Sequence, residues 1–335
     1  MKNTWYDDTV HNSFKQKGHI KNNLTCEVFI VGGGLAGLSL LYNLKKNGVH
    51  AFLVEENQVG SGASGRNGGF CLSGWAQDYD VLLKYLSKEE VIELERIAAS
   101  GVQWMREKCL SKGYEHTNLQ SGVLKCFLSN NVEKVKHDVI IQNQLFNQNE
   151  EFIEKEKLHE YVQSEKYTCG VLRQESFQFH PLNFMKALAE DCINLGASIF
   201  ENCKFITYSK NNGKIDSKIS YENEILNIKS DKLVFATGGY GGKEIRDLKS
   251  YWLPIKTFIG VTKPFGNELR SVLKKPLGFS DNRRAGNYYR VLPENRLSWG
   301  RGISAVGNFT SLHLKRAISK EINYFFPELE NIEID

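Results

Sequence analysis

The sequence predicts an α/β fold: a Rossmann-like dinucleotide-binding part joined to a second, α+β part that carries an antiparallel sheet. Three observations predict it. A strand, glycine turn, helix, strand and acid follow one another from Val28 to Glu55. A glycine-dense loop, Gly60–Gly69, comes directly after. Beyond about Tyr251 the pattern changes to short strands punctuated by turns at Lys263-Pro264 and Pro293-Glu294-Asn295, which suits an antiparallel sheet.

Val28-Phe29-Ile30-Val31 is a short apolar run of β-branched and aromatic residues, the signature of a strand buried on both faces. Gly32 permits a tight turn, Gly34 lets a pyrophosphate approach bare backbone, and Gly37 lets the helix pack closely on the strand. The helix opens at Leu35 and Ala36, where free N–H groups and the positive end of the dipole favour phosphate. Leu38, Leu41 and Leu44 recur at helical spacing, and Gly48 caps the end. Ala51-Phe52-Leu53-Val54 is the second buried strand. Glu55 follows it, 18 residues after Gly37, close to the roughly twenty expected of an acid that bonds ribose hydroxyls.

The Gly60–Gly69 loop carries Ser64, Arg66, Asn67 and Gly68. A hydroxyl, a guanidinium and an amide on a glycine frame can wrap a second side of a pyrophosphate and run on toward a flat ring system. A plain Gly/Ser linker would need neither Arg66 nor Asn67.

Ser87-Lys88-Glu89-Glu90 is a capping box that opens an amphipathic helix to about Cys109. Gly122 to Leu128 reads as a strand, Val132 to about Leu145 as a helix, and the charged run Glu150 to Gln163 as a solvated helix. Residues 76–175 thus read as a helix-rich insertion. Pro181 suits the first turn of a helix to Leu195. Ala197 to Phe200 is the next strand, Asn211-Asn212-Gly213-Lys214 a hairpin turn, and Lys232 to Ala236 a buried strand. Thr237-Gly238-Gly239 then brings backbone near the ligand, and a last helix spans Leu312 to Phe326, stopped by Pro327.

The 335 residues suffice for two domains, and 41% apolar with 24% charged residues excludes a disordered or fibrous chain. A net charge of +4, spread along the chain, does not indicate a nucleic-acid surface. No window is long and apolar enough to span a bilayer, and the polar first 25 residues do not read as a secretory signal. Seven scattered cysteines without a CxxC pair suggest reduced thiols and a cytoplasmic protein. Metal-ligand spacing and a GxSxG elbow are both lacking.

On these residues the chain resembles the FAD-dependent D-amino-acid oxidase superfamily, and within it the gamma-glutamylputrescine oxidoreductase branch. The Val31–Gly37 turn, Glu55 and the Gly62–Gly69 loop match the cofactor motifs. Phe179-His180-Pro181-Leu182 and Lys232–Tyr240 match returns of the chain to the FAD domain. Ser280-Asp281, Tyr288-Tyr289-Arg290 and Leu297-Ser298-Trp299-Gly300 match substrate-domain strands, and Trp5-Tyr6-Asp7-Asp8-Thr9 looks like the aromatic tag of the branch. The resemblance implies FAD as cofactor and a discontinuous FAD domain (1–75 and 176–250) with a substrate domain (76–175 and 251–335). It places Ser64 at the phosphates, Arg66, Asn67 and Gly68 along the pyrophosphate-to-flavin stretch, the backbone near Phe205 at the adenine, and Thr237 and Gly238 against the cofactor.

The implied chemistry is oxidation of an amine or amino acid at its C–N bond in amine or amino-acid catabolism. Hydride passes to flavin, water hydrolyses the imine, and the electrons return to O₂, giving H₂O₂, or to another acceptor. His180 could line the substrate side, although packing beside Pro181 is the simpler reading. Tyr288 and Arg290 stand two apart on a strand and share a face, where they could bind a substrate carboxylate or form a surface pair. Cys71, after the glycine loop, is weighed as a covalent flavin link and disfavoured. The resemblance also implies a further segment returning to the FAD domain, which residues 1–335 do not match. A truncated gene, a fragment of a longer protein or a completing second chain would account for that. Two alternatives stay open: an incomplete FAD-binding remnant acting as a binding or partner protein, and an NAD-dependent dehydrogenase, which the glycine loop argues against.

Overall fold

The computed structural model describes all residues except 1–3, 12–13, 15, 17–18, 21–22, 243–244, 246–249 and 306–309. In chain order the strands are β1 (Leu24–Val31), β2 (Ala51–Val54), β3 (Phe70–Cys71), β4 (Gln120–Phe127), β5 (Glu151–Glu154), β6 (Cys169–Gln178), β7 (Ser198–Phe200), β8 (Lys204–Asn211), β9 (Lys214–Tyr221), β10 (Glu224–Phe235), β11 (Lys256–Val261), β12 (Gly278–Asp281), β13 (Tyr288–Leu292) and β14 (Arg296–Ser304). The α-helices are α1 (Trp5–Asp8), α2 (Leu35–Lys46), α3 (Tyr79–Leu82), α4 (Lys88–Leu110), α5 (Val132–Phe146), α6 (Lys155–Leu158), α7 (Pro181–Asn194), α8 (Glu268–Val272) and α9 (Ser311–Phe325). They form two units. The first holds Met1–Asn67, Lys112–Thr117 and His180–Ile255, and the second holds Gly68–Ser111, Asn118–Phe179 and Lys256–Asp335.

The first unit is built on a six-stranded sheet in the order β7-β2-β1-β10-β9-β8. The strands from β7 to β10 are parallel, and β9 and β8 continue as an antiparallel meander. Phe29, Phe52, Phe200, Phe205 and Ile228 pack into one apolar cluster. Asn212 and Gly213 both take positive φ in the β8–β9 turn, which is why that Asn-Gly pair reads as a hairpin.

The second unit carries a sheet in the order β11-β14-β13-β12-β4-β6-β3, with β5 paired to β6. Its pairs are antiparallel except β12 with β4. One face is covered by α9, whose Ile318, Ile322 and Phe325 join Leu124, Phe279, Tyr289 and Trp299 in a core. Phe279, Tyr289 and Trp299 are cross-strand neighbours stacked nearly parallel, with centroids 5.4 and 4.3 Å apart. The Tyr289 hydroxyl, buried within that core, lies 3.0 Å from the hydroxyl of Tyr167.

Two sequence readings need correction. Residues 150–163 do not form one solvated helix: Glu151–Glu154 is strand β5, and only Lys155–Leu158 turns helical. Phe152 and Ile153 pack into two different clusters, as neighbours on a strand do, and this outweighs the surrounding charges. Residues 76–175 are more than a helix-rich insertion, since β4 and β6 lie inside the sheet. The unit edges also follow pairing. The β3–β6 ladder draws the chain from Gly68 onward into the second unit. Residues 112–117 stay with the first because Tyr114 donates to Asp191 and His180 N–H donates to the Thr117 carbonyl.

Candidate functional site: a dinucleotide cradle

The parallel strands of the first unit end at a common edge, where ligands of open α/β sheets are held. There β1 runs into Gly32–Gly34, β2 into Glu55, and β10 into Ala236 and Thr237. Gly32 has φ +116°, and a Cβ on it would stand 2.6 Å from the Ala236 carbonyl oxygen. A Cβ on Gly37 would stand 2.0 Å from the Gly32 oxygen, so α2 can seat against the turn only with glycine there. Gly33 N–H donates to Glu55 Oε2 at 2.7 Å, and Asn57 N–H to Oε1 at 2.9 Å.

These ends enclose a cavity of about 360 Å³. Of the predicted residues, Gly32, Gly34, Glu55, Ser64, Phe205, Thr237 and Gly238 line it. Leu35 N–H, at the start of α2, donates to Ser64 Oγ at 2.9 Å, so the loop hydroxyl sits at the helix's positive end. Leu35, Ala36 and Gly37 form the helix end without lining the cavity. Tyr240 and Cys203 also line it and were missed. The available signals were an aromatic residue directly after the Thr237-Gly238-Gly239 turn and a thiol just past β7.

Asn67 braces the loop through bonds from Nδ2 to the carbonyls of Ser64 (2.8 Å) and Ala63 (3.3 Å). Arg66 reaches Asp7 with Nη2 at 3.6 Å. Asp7 belongs to a capping box with Thr4 on α1, which gives the aromatic tag a structural task. Trp5 and Tyr6 flank the His180 ring with centroids 5.7 and 5.0 Å away. His180 caps α7: Nδ1 accepts from Asn183 N–H at 3.1 Å, and Nε2 meets Thr9 Oγ1 at 3.1 Å. With Nδ1 accepting, a neutral ring carries its proton on Nε2. The structure therefore places His180, 5% exposed, as a helix cap with both nitrogens engaged.

In the second unit Tyr288 and Arg290 share one face of β13, as their spacing predicts, and that face meets the tail of the glycine loop. A Cβ on Gly68 would fall 2.6 Å from the Tyr288 ring, and one on Gly69 would fall 2.5 Å from Arg290 Nη2. Arg290 is buried against this backbone. Cys71 is buried with Sγ 3.8 Å from Met105 Sδ, and burial pushes its thiol up to about 12.

A dinucleotide fits the first unit's cradle. The N-cap of α2 is Gly34, which carries no side chain, a carboxylate ends β2, and Arg66 Nε is buried without a hydrogen-bond partner among the described residues. A family model described as DAO, FAD dependent oxidoreductase, matches residues 27–335. The chain belongs to this DAO family. It is an FAD-dependent oxidoreductase, with FAD as its cofactor. Relatives include the probable oxidoreductase OrdL of Haemophilus influenzae, 27% identical over 92% of this chain and 71% of that protein. The gamma-glutamylputrescine oxidoreductase of Escherichia coli is 24% identical over 94% of this chain and 73% of that protein. Among solved structures, the L-amino acid deaminase of Proteus myxofaciens shares the fold with a TM-score of 0.73 at 14% identity, covering 97% of this chain and 81% of that one. Among the described residues no helix is long and apolar enough to cross a membrane.

Proposed function

We propose that this DAO-family chain oxidises a carbon–nitrogen bond of a small amine or amino acid. The observation that carries the reading is the closure of Tyr288 and Arg290 over Gly68 and Gly69. These glycines continue directly from the loop whose head, at Ser64, stands at the start of α2. A hydroxyl and a guanidinium are thereby fixed beside the loop tail, where a substrate's polar end can be oriented. The names of the relatives, a gamma-glutamylputrescine oxidoreductase and an L-amino acid deaminase, support the same substrate class.

The residues divide the work. Gly34 and the Leu35 N–H, with Ser64, hold the pyrophosphate, Glu55 takes the ribose hydroxyls, and Arg66 with Asn67 steadies the stretch beyond. FAD, when bound, supplies the two-electron acceptor that takes a hydride from the carbon next to nitrogen. Tyr288 orients the neutral amine, and Arg290 keeps the loop tail in register with it. Water then adds to the released imine, giving a carbonyl compound and an amine. O₂ is the proposed final acceptor, reduced to H₂O₂.

The test is spectral. The purified protein should be yellow, and an anaerobic panel of amines and amino acids should bleach it, with H₂O₂ formed on admission of air. A flavin bleached by alcohols and hydroxy acids but by no amine would overturn the reading.

A further inference from the structure

The start of α7 carries both the glycine loop and the N-terminal tag. A Cβ on Gly60 would stand 3.0 Å from Leu182 Cδ1, and one on Gly65 would stand 2.9 Å from the same atom, so the loop lies directly on the first turn of the helix. The tag is fastened to the same turn. His11 N–H donates to Asn183 Oδ1 at 2.9 Å, Thr9 Oγ1 meets His180 Nε2 at 3.1 Å, and Trp5 and Tyr6 flank the His180 ring. Two segments far apart in the chain are thereby brought together, and Asp7 meets Arg66.

The tag sets the direction of the Asp7 carboxylate. Its Oδ2 accepts from the Thr4 N–H at 2.7 Å and from the Thr4 hydroxyl at 2.8 Å. Arg66 Nη2 lies 3.6 Å from that oxygen, close enough for charge attraction and too far for a hydrogen bond. The pair therefore holds the guanidinium without occupying its donors, and Nε is buried with no hydrogen-bond partner among the described residues. The two side chains are only 26% and 31% exposed, so water screens their attraction less than at an open surface. An arginine already held in place loses less rotamer freedom when an anion arrives. A carboxylate also repels a pyrophosphate, so the two effects of Asp7 on cofactor binding have opposite signs. The ion pair offsets the repulsion and leaves the orienting effect dominant.

We propose that Asp7 is a positioning residue for the cofactor, pre-orienting the Arg66 guanidinium so that the N-terminal tag takes part in FAD binding. This rests on the placing of Arg66 along the pyrophosphate-to-flavin stretch, which the same experiment tests separately.

FAD dissociation constants are measured on the full-length holoprotein, from the flavin fluorescence released on serial dilution. Asp7→Asn removes the charge and keeps an oxygen that can accept from Thr4, so the cap of α1 is spared. It should bind FAD about threefold to tenfold more weakly. Asp7→Glu restores the charge and should stay within about twofold of wild type. Asp8→Asn removes the same charge one residue away and should leave the affinity unchanged. Arg66→Ala should weaken binding, and adding Asp7→Asn to it should cause no further loss, the signature of one residue acting through the other. Unchanged or tighter binding in Asp7→Asn, an equal loss in Asp8→Asn, no rescue by Asp7→Glu, or an additive loss in the double variant would each overturn the proposal. If Arg66→Ala weakens binding and Asp7→Asn does not, the positioning role falls and the placing of Arg66 stands. If Arg66→Ala binds FAD as wild type does, the placing of Arg66 falls and the positioning role with it.

Discussion

Gly33 donates its backbone N–H to Oε2 of Glu55 at 2.7 Å, tying the glycine turn to the end of β2. The carboxylate thus braces the turn from below while remaining available to hydroxyl donors, since each oxygen can accept more than one bond. Glu55→Ala removes both roles. It should weaken FAD binding by about ten- to a hundredfold, the worth of charge-assisted hydrogen bonds, in a titration following flavin fluorescence. Unchanged affinity would confine Glu55 to bracing.

Gly32→Ala puts a methyl group 2.6 Å from the Ala236 oxygen at a φ that only glycine adopts readily. The variant should lose at least about 2 kcal/mol of stability by urea unfolding and purify without flavin. Gly48→Ala is the control. It also has positive φ, but no atom lies within 4 Å of its added Cβ, so its loss should be smaller and flavin should be retained.

Glu321 on α9 accepts from Arg283 at 2.8 Å and Asn287 at 3.0 Å, with Arg301 at 3.4 Å. Burial works to raise its carboxyl, but the bonds from Asn287 and Arg283 outweigh it, so it titrates below its ordinary value. The unfolded chain then binds the proton more tightly. The stability it contributes is full above the ordinary carboxylate range and is lost as pH falls through the folded value. Glu321→Gln should cost about 1 kcal/mol near neutrality, a figure kept small because the cluster is partly solvated. The gap to wild type should narrow on acidification in paired urea titrations.

All seven cysteines are free and buried, and burial also pushes the thiols of Cys26 and Cys203 up to about 12. Native protein should therefore show no fast-reacting thiol toward a disulfide reagent, and unfolding in denaturant should release all seven. A single fast thiol in the folded protein, Cys71 in particular, would contradict its placement against Met105.

The cradle was legible because its signals are local. Gly32, Gly37 and Glu55 lie within one strand–helix–strand unit, where each residue type answers a short-range demand of turn, packing or hydrogen bonding. The Tyr288–Arg290 face was legible from the two-residue period of a strand. What was not legible depends on distant partners. Strand β5 hides under charges, because only pairing with β6 gives Phe152 and Ile153 their two sides. Residues 112–117 join the first unit through single bonds to α7 that no local pattern announces. His180 caps a helix with a ring nitrogen, a role commonly filled by Ser, Thr, Asp or Asn, so its capping contact is one that no local pattern announces.

The stack of Phe279, Tyr289 and Trp299 gives the second unit an internal optical signature. Trp299 is fully buried, and its ring lies nearly parallel to that of Tyr289. Rigid, close-set chromophores of this kind produce sharp near-ultraviolet dichroism and blue-shifted emission. Melting of the α9-covered core can therefore be followed separately from bleaching of the yellow cofactor, so one sample reports on scaffold and chemistry at different wavelengths.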